Sequence, residues 1–471
     1  MDRVAGRADG LIVGAAASKR PRVSAPVAVI GGGWAGCAAA WTLASRGIPV
    51  VLHEAAPVLG GRARRVERAG IPIDNGQHLI VGAYESTRTL LRRVHGGRVD
   101  PGLLRQRLAI VPFAPDSGSL ALRAPRLAPP WNLATALALA RGPRLSERVD
   151  ALRWLRTLHL SGFERDGGET VDAMLSSLPP RIARGLFAPL ALAALNTPTS
   201  RASARVYAHL LDRISRAPGG SDFLLPILDL SELLPEPTAR RIEARGGEVR
   251  LRSGAIVVAA SDDGVDIRSG GATWRAAAAI VAVGPHQLGH ALAPGLAELP
   301  AAVDALAAVG AMRYEPTATI YLGFRERLRL RSRIHRLDDA PGQWLFDRRD
   351  VLERAPEAAA ARVLRGLVAV VISAGGAHDD LDAKALAGRV HMQLKRLRAS
   401  FPVPVWSQVI VERRSTFACV PGLRRPASPV LGPRLHLAGD YLDPALPATL
   451  EAAVASGEAA GHAVARALRH G

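Results

Sequence analysis

Val27-Ala28-Val29-Ile30-Gly31-Gly32-Gly33-Trp34-Ala35-Gly36 is the stretch on which the fold turns. Four apolar residues of strand character run into glycines spaced G-x-G-x-x-G, and a helical segment from Ala38 to Arg46 follows, stopped at Gly47. Ile48 to His53 reads as a second apolar strand, so the segment forms a βαβ unit. Gly31 permits the tight turn, Gly33 lets the backbone approach a pyrophosphate, and Gly36 lets the helix pack closely on the sheet. The helix N-terminus then faces phosphate. Glu54 ends the second strand 18 residues beyond Gly36, where a carboxylate can accept hydrogen bonds from a ribose. The whole context points to a dinucleotide rather than to a glycine-rich turn that binds nothing.

Working outward, Leu59-Gly60-Gly61-Arg62-Ala63 brings a second glycine pair followed by arginine, for which a nicotinamide enzyme has no need. Near the other end stand Gly439-Asp440 and Ala448-Thr449-Leu450-Glu451-Ala452-Ala453-Val454-Ala455-Ser456-Gly457. Together these resemble the flavin signatures of the amine oxidase and phytoene desaturase superfamily. The resemblance implies FAD, with Arg62 hydrogen bonded to the diphosphate, Asp440 at the ribityl or diphosphate part, and the final helix aimed at the flavin pyrimidine. The expected cofactor-binding set is Gly31, Gly33, Trp34, Ala35, Gly36, Glu54, Gly61, Arg62, Val257, Gly439, Asp440, Thr449 and Leu450.

The resemblance narrows at Asp74-Asn75-Gly76-Gln77-His78, Leu195-Asn196-Thr197-Pro198, Arg414-Ser415-Thr416-Phe417-Ala418 and Gly439-Asp440-Tyr441. As a set these resemble the squalene-associated FAD-dependent hydroxysqualene dehydroxylases of bacterial hopanoid biosynthesis, over nearly everything from Val27 to Leu468. The family implies reductive removal of an allylic hydroxyl, giving squalene, with reduced FAD as electron donor. Two residues depart from the pattern: Cys37 stands where leucine is expected and Phe187 where tryptophan is expected before Pro189. Both are volume changes in apolar surroundings.

Such chemistry needs an acid for the departing oxygen and a dry tunnel for a hydrophobic isoprenoid. His78 is the first candidate for acid or polar anchor, because the Gly-Gly-Arg segment leads the chain toward the flavin shortly before it. A histidine merely hydrogen bonded near the cofactor is the competing reading. Gln77 and Asp74 are expected to position it, although Asp74 serves the fold equally well, and Tyr441 reads better as a packing residue. Aromatics make only 4% of the chain, and no paired tyrosines precede the final helix to select a cationic amine. None of the three lysines, Lys19, Lys384 and Lys395, lies near a cofactor motif.

With 471 residues, 48% of them hydrophobic, the chain can bury a large core in two interleaved units. The expected class is α/β: a Rossmann-type FAD-binding domain (26–100, 216–290 and 416–471) interleaved with a mixed α+β substrate domain (101–215 and 291–415) that carries a helical insert. Residues 1–25 read as a flexible tail without the order of a signal peptide. The net charge of +19 invites a polyanion reading, but arginine supplies 58 of the 61 basic residues and is scattered along the chain, the pattern of GC-rich coding. No nucleic-acid signature accompanies it. Cys37 and Cys419 have no cysteine or histidine at ligand spacing, so no metal is expected and a reducing cytoplasm fits.

No window reaches the ~18 uncharged apolar residues of a membrane span. The apolar run Leu127 to Ala140, bounded by Arg126 and Arg141, suits either an ordinary insert helix or a peripheral contact with an anionic membrane, with Trp131 at headgroup level on the inner face. Two further readings stay open: a phytoene-type carotenoid desaturase, and a non-enzymatic membrane-surface binder on a flavin fold. The electron donor to FAD is not legible.

Overall fold

The computed structural model describes residues 25–114, 119–354 and 362–470. All but one residue of the N-terminal segment 1–25 therefore lies outside the described residues. Strand β1 (Val27–Ile30), helix α1 (Trp34–Ala44) and strand β2 (Val50–His53) are buried at every position. A parallel sheet covered on both faces requires such continuous apolar runs. The sheet runs Glu248–Arg250, β2, β1, Ala278–Val281 and Leu435–Leu437, all parallel, with Val430–Gly432 antiparallel at the edge. Chain order reverses beside β1, and ligands enter such sheets at the carboxyl ends of the strands at this point. The C-terminal helix Leu450–His470 packs on α1 over one face, placing Val464 against Val29 and Leu43.

A five-stranded antiparallel sheet forms the second unit, in the order Ile334–Arg336, Trp344–Asp347, Gly366–Ser373, Tyr314–Phe324, Trp406–Phe417. Side chains alternate across it. Val368, Val370 and Ile372 face the helix Ala383–Leu397, whereas Leu367, Ala369 and Val371 face the helical insert. The insert comprises Trp131–Ala138, Leu145–Leu160, Val171–Leu175, Pro180–Ile182 continuing through a π turn (Ala183–Phe187) into Ala188–Leu195, and Ala204–Arg216. The two departures from the family pattern are absorbed in packing. Cys37 is buried with its thiol directed at the Gly32 carbonyl, and Phe187 packs on Trp154 at 5.0 Å with the rings tilted by 58°.

The expected α/β class with an interleaved second unit is what the chain forms. Its expected internal boundaries shift in two places. The helix Pro300–Gly310 packs Ala302, Ala305 and Val309 against Ala28, Ile30 and Val281, so this stretch covers the dinucleotide sheet. Conversely Ile71, Ile73, Phe223 and Leu225 join the core of the helical insert. Apolar faces decide both placements, and neither is marked by a linker.

Candidate active site

One cavity of about 950 Å³ begins at the carboxyl ends of the parallel strands and runs between the two units. At its first end lie Gly31, Gly33, Trp34, Ala35, Glu54, Ser253 and Ala255. Gly31 has φ +105°, which only glycine adopts without strain. A Cβ on Gly33 would find only Gly61 Cα, 4.0 Å away, so two bare backbones face each other across an open groove. No side chain caps α1 at Gly33 and its first turn holds no acid, leaving its N-terminal N–H groups available to an anion. Glu54 Oε2 accepts from Gly32 N–H at 2.8 Å and Oε1 from Ala56 N–H at 2.8 Å. These bonds fix the carboxylate on the cavity wall.

Gly61, Arg62, Gly439, Asp440, Thr449 and Leu450 line the next stretch. Trp34 Nε1–H donates to the Ala63 carbonyl at 2.9 Å, tying the Gly-Gly-Arg segment to α1. Arg62 differs from expectation. Its Nη2 donates to both carboxylate oxygens of Asp440, at 2.7 and 2.8 Å, and Nη1 to the Ser415 carbonyl at 3.0 Å. The guanidinium is thus held mainly by protein, with Asp440 the partner that overcomes the cost of burial and keeps it charged.

Two expected cofactor residues do not reach the cavity. Gly36 is packed beneath it, where it permits the close approach of α1 to the sheet. Val257 is fully buried among Val265, Ile267 and Leu292, with its carbonyl accepting from Ala293 N–H, and Ser253, Gly254 and Ala255 of the same segment line the wall instead. Tyr441 is likewise a fully buried packing residue.

The segment 74–78 carries the chain from the cofactor end into the second unit. Asn75, which the sequence reading quoted without assigning, accepts from Arg64 N–H at 3.0 Å and donates to the Arg62 carbonyl at 2.9 Å. Gln77 and His78 follow it on the cavity wall, with Gln77 N–H donating to Thr319 Oγ1 at 3.3 Å. His78 Nδ1 lies 2.8 Å from the Gly76 carbonyl, an acceptor only, so Nδ1 carries the proton and Nε2 bears the lone pair. Burial, reinforced by the charge of Arg62 and opposed by the Gly76 bond, holds its pKa below the ordinary histidine value.

Asp74, expected among the site residues to position His78 or else to serve the fold, is a residue of the fold and not of the cavity wall. It is 1% exposed, absent from the cavity wall, and paired at 3.3 Å with the equally buried Arg348. It also accepts from Leu230 N–H at 2.8 Å, and its carbonyl accepts from Tyr321 O–H at 3.0 Å. The pair anchors the base of the 75–78 loop. Burial raises the Asp74 carboxyl above its usual range, against the pull of Arg348 and the Leu230 N–H. Arg348→Met is expected to cost about 3–5 kcal/mol, because a buried carboxylate is left without its counter-charge. Lowering the pH lets Asp74 take up a proton, so urea melts should show the deficit shrinking toward acid. An equal deficit across pH would mean that the pair carries no buried charge.

Beyond His78 the cavity wall is mostly apolar. Leu190, Ala193 and Ala194 come from the helix after the π turn, Leu211 and Ile214 from Ala204–Arg216, and Phe223, Trp344, Phe346 and Val371 from the sheets. Strand Phe223–Pro226 pairs with Ile80–Val81, directly after His78, which joins this arm to the polar loop. No local motif announces these residues. Neither described lysine lines the cavity.

The fold and this two-ended cavity define a flavin-dependent oxidoreductase. Residues 34–465 match the family described as flavin containing amine oxidoreductase, and the chain belongs to that family. It is 29% identical over 458 residues to the hydroxysqualene dehydroxylase of Rhodopseudomonas palustris, covering 95% of this chain and 100% of that one. It is 29% identical over 463 residues to the hydroxysqualene dehydroxylase of Sinorhizobium fredii, covering 92% and 97%. Among solved structures it resembles cyclohexylamine oxidase from Brevibacterium oxydans, with a TM-score of 0.66 at 17% identity over 94% of this chain and 99% of that one. The cofactor is FAD. The uncapped α1 terminus, the bare Gly33 and Gly61 backbones and the anchored Glu54 provide the donors, clearance and acceptor that a flavin dinucleotide requires.

Proposed function

We propose that the protein reductively dehydroxylates a long isoprenoid allylic alcohol, hydroxysqualene to squalene. The carrying observation is a single cavity that joins the cofactor-binding end to a mostly apolar arm, with His78 and Gln77 among the polar groups on its wall. The residues named on that arm include no carboxylate to pair with an amine; the carboxylates on the cavity wall are Glu54, Glu412 and Asp440. When bound, reduced FAD supplies the hydride that the reaction consumes.

The chain's own residues supply the rest. Apolar walls exclude water from a cationic carbon. Neutral His78 presents Nε2 as an acceptor to the substrate hydroxyl, and on protonation the same atom donates to the departing oxygen, which leaves as water. Since its pKa is lowered, the protonated fraction grows as the medium is acidified. The single-turnover rate is therefore expected to rise from about pH 8 to about pH 6, and a flat profile would assign the proton to another group. The reading itself is tested by incubating dithionite-reduced holoenzyme anaerobically with hydroxysqualene, and oxidised holoenzyme with phytoene. Squalene from the first supports it; desaturated product from the second alone overturns it.

No helix among the described residues is long and apolar enough to cross a membrane. The insert nevertheless exposes Leu127 (49%), Trp131 (67%), Leu139 (71%) and Leu145 (69%) beside Arg126 and Arg141. Asn132, next to Trp131, donates at 3.4 Å to Ser221 on the cavity wall. This helix, Trp131–Ala138, is proposed as the contact with an anionic bilayer through which a lipid substrate is drawn. Flotation with phosphatidylglycerol vesicles should fall about tenfold or more in Trp131→Ser/Leu139→Glu, since each large apolar group inserted is worth roughly 1.5–3 kcal/mol. Equal flotation of the variant, or none of the parent, would remove the proposal.

A further inference from the structure

A second recess of about 550 Å³ lies behind the reaction cavity, within the second unit. Its rim includes the exposed residues Ser200, Asp339 and Gly376, so it is open to water. Ser373 lines both spaces. The partition between them stands where strand Gly366–Ser373 ends, a place at which unpaired backbone groups would ordinarily be solvated.

Two buried side-chain amides close it instead. From one side Gln343 accepts from Ser373 N–H at 2.9 Å and donates to the Ser373 carbonyl at 3.1 Å. From the other, Asn196 accepts from Ala374 N–H at 2.8 Å. Its Nδ2 reaches the carbonyls of Glu315 and Pro316, at 3.3 and 3.2 Å, and Thr416 Oγ1 at 3.0 Å. Asn196 ends the helix Ala188–Leu195 at φ +46°, a left-handed conformation that asparagine tolerates better than most residues. It faces the reaction cavity, while Leu192 before it and Pro198 after it face the recess. The next residue extends the seam, Thr197 Oγ1 accepting from Cys419 N–H at 2.9 Å. Thus the Leu195-Asn196-Thr197-Pro198 and Arg414-Ser415-Thr416-Phe417-Ala418 segments interlock through Asn196 and Thr416, a role their sequence did not disclose.

We propose that Asn196 and Gln343 are positioning residues that seal the reaction cavity against the recess and so decide whether a substrate cation meets hydride or water. The inference rests on the dehydroxylase reading. In that reaction the C–O bond breaks as the oxygen takes a proton, water departs, and the allylic cation gains hydride from reduced FAD to give hydrocarbon. If water enters through the partition, its oxygen adds to the cation and a proton is lost, returning an allylic alcohol and leaving the hydride unspent.

The test is a single turnover of dithionite-reduced, FAD-replete enzyme with hydroxysqualene in water enriched in oxygen-18. The parent should give squalene and leave recovered alcohol unlabelled; absence of squalene from the parent would overturn the underlying reading itself. Asn196→Asp keeps shape and backbone tolerance but sets a carboxylate against two carbonyls, and Gln343→Leu removes both bonds to Ser373 from the opposite side with Asn196 intact. Each is expected to lower the squalene fraction and to raise label in recovered alcohol about tenfold or more over the parent. Loss of stability alone would not label the alcohol. FAD-replete variants with the parental product ratio and unlabelled alcohol would overturn the seal.

Discussion

Gly36→Ala is expected to purify without flavin and, as apoprotein, to bind FAD about a hundredfold or more weakly than the parent in titration calorimetry. A Cβ at this position would lie 1.8 Å from the Gly31 carbonyl oxygen and 3.0 Å from its carbon, both backbone atoms of the turn. Neither can swing aside as a side-chain tip would. Relief requires α1 to move off the sheet by about an ångström, which withdraws its uncapped N–H groups from the phosphate position, and such a misplacement costs about two orders of magnitude. Gly32→Ala is the control. Its Cβ would meet chiefly the Leu59 Cδ2 tip and the Glu54 side chain, so a smaller loss is expected. Normal flavin content in Gly36→Ala would show that close packing of α1 on the turn does not hold the cofactor.

His78→Phe is the second large effect. Single-turnover reduction of the alcohol should slow by about 10²–10⁴-fold, the usual yield of a positioned acid, while the flavin absorbance per protein stays parental. The ring that replaces imidazole is likewise planar and somewhat larger, so parental flavin content is the check that the wall has kept its shape. What is lost is the Nε2 site and the Nδ1–H bond to Gly76. The pH dependence expected of the parent should vanish with it. Parental turnover with bound FAD would remove His78 from the chemistry and leave it a wall residue.

The cofactor half of the site was legible because each part is a short local pattern. The glycines at 31, 33 and 61, with Glu54 and Asp440, all reach the cavity. Local pattern failed where burial or a distant partner decides. Asp74 lies four residues from His78 yet faces inward to Arg348, 274 residues away. Arg62 reads as a phosphate ligand until its Nη2 is seen to be taken by Asp440 and its Nη1 by the Ser415 carbonyl. Val257 sits on a strand whose preceding residues, not itself, meet the cavity. The apolar arm was illegible altogether, since a π turn sets the facing of Leu190 and Ala194, and Phe223, Trp344 and Val371 arrive from separate strands. Nothing in leucine and alanine content distinguishes a tunnel wall from a core.

The Arg62 and Asp440 contact joins residues 378 apart in sequence. Strand Leu435–Leu437 and the helix Leu450–His470 complete a sheet begun at Val27. During synthesis the first βαβ unit therefore emerges long before the segments that cover α1 and close the phosphate groove. At translation rates of about 5–20 residues per second the wait is tens of seconds or more, with continuous apolar strands unpaired on one side. A groove that needs both ends of the chain is complete only after the last segments have emerged, so FAD loading is expected late in synthesis.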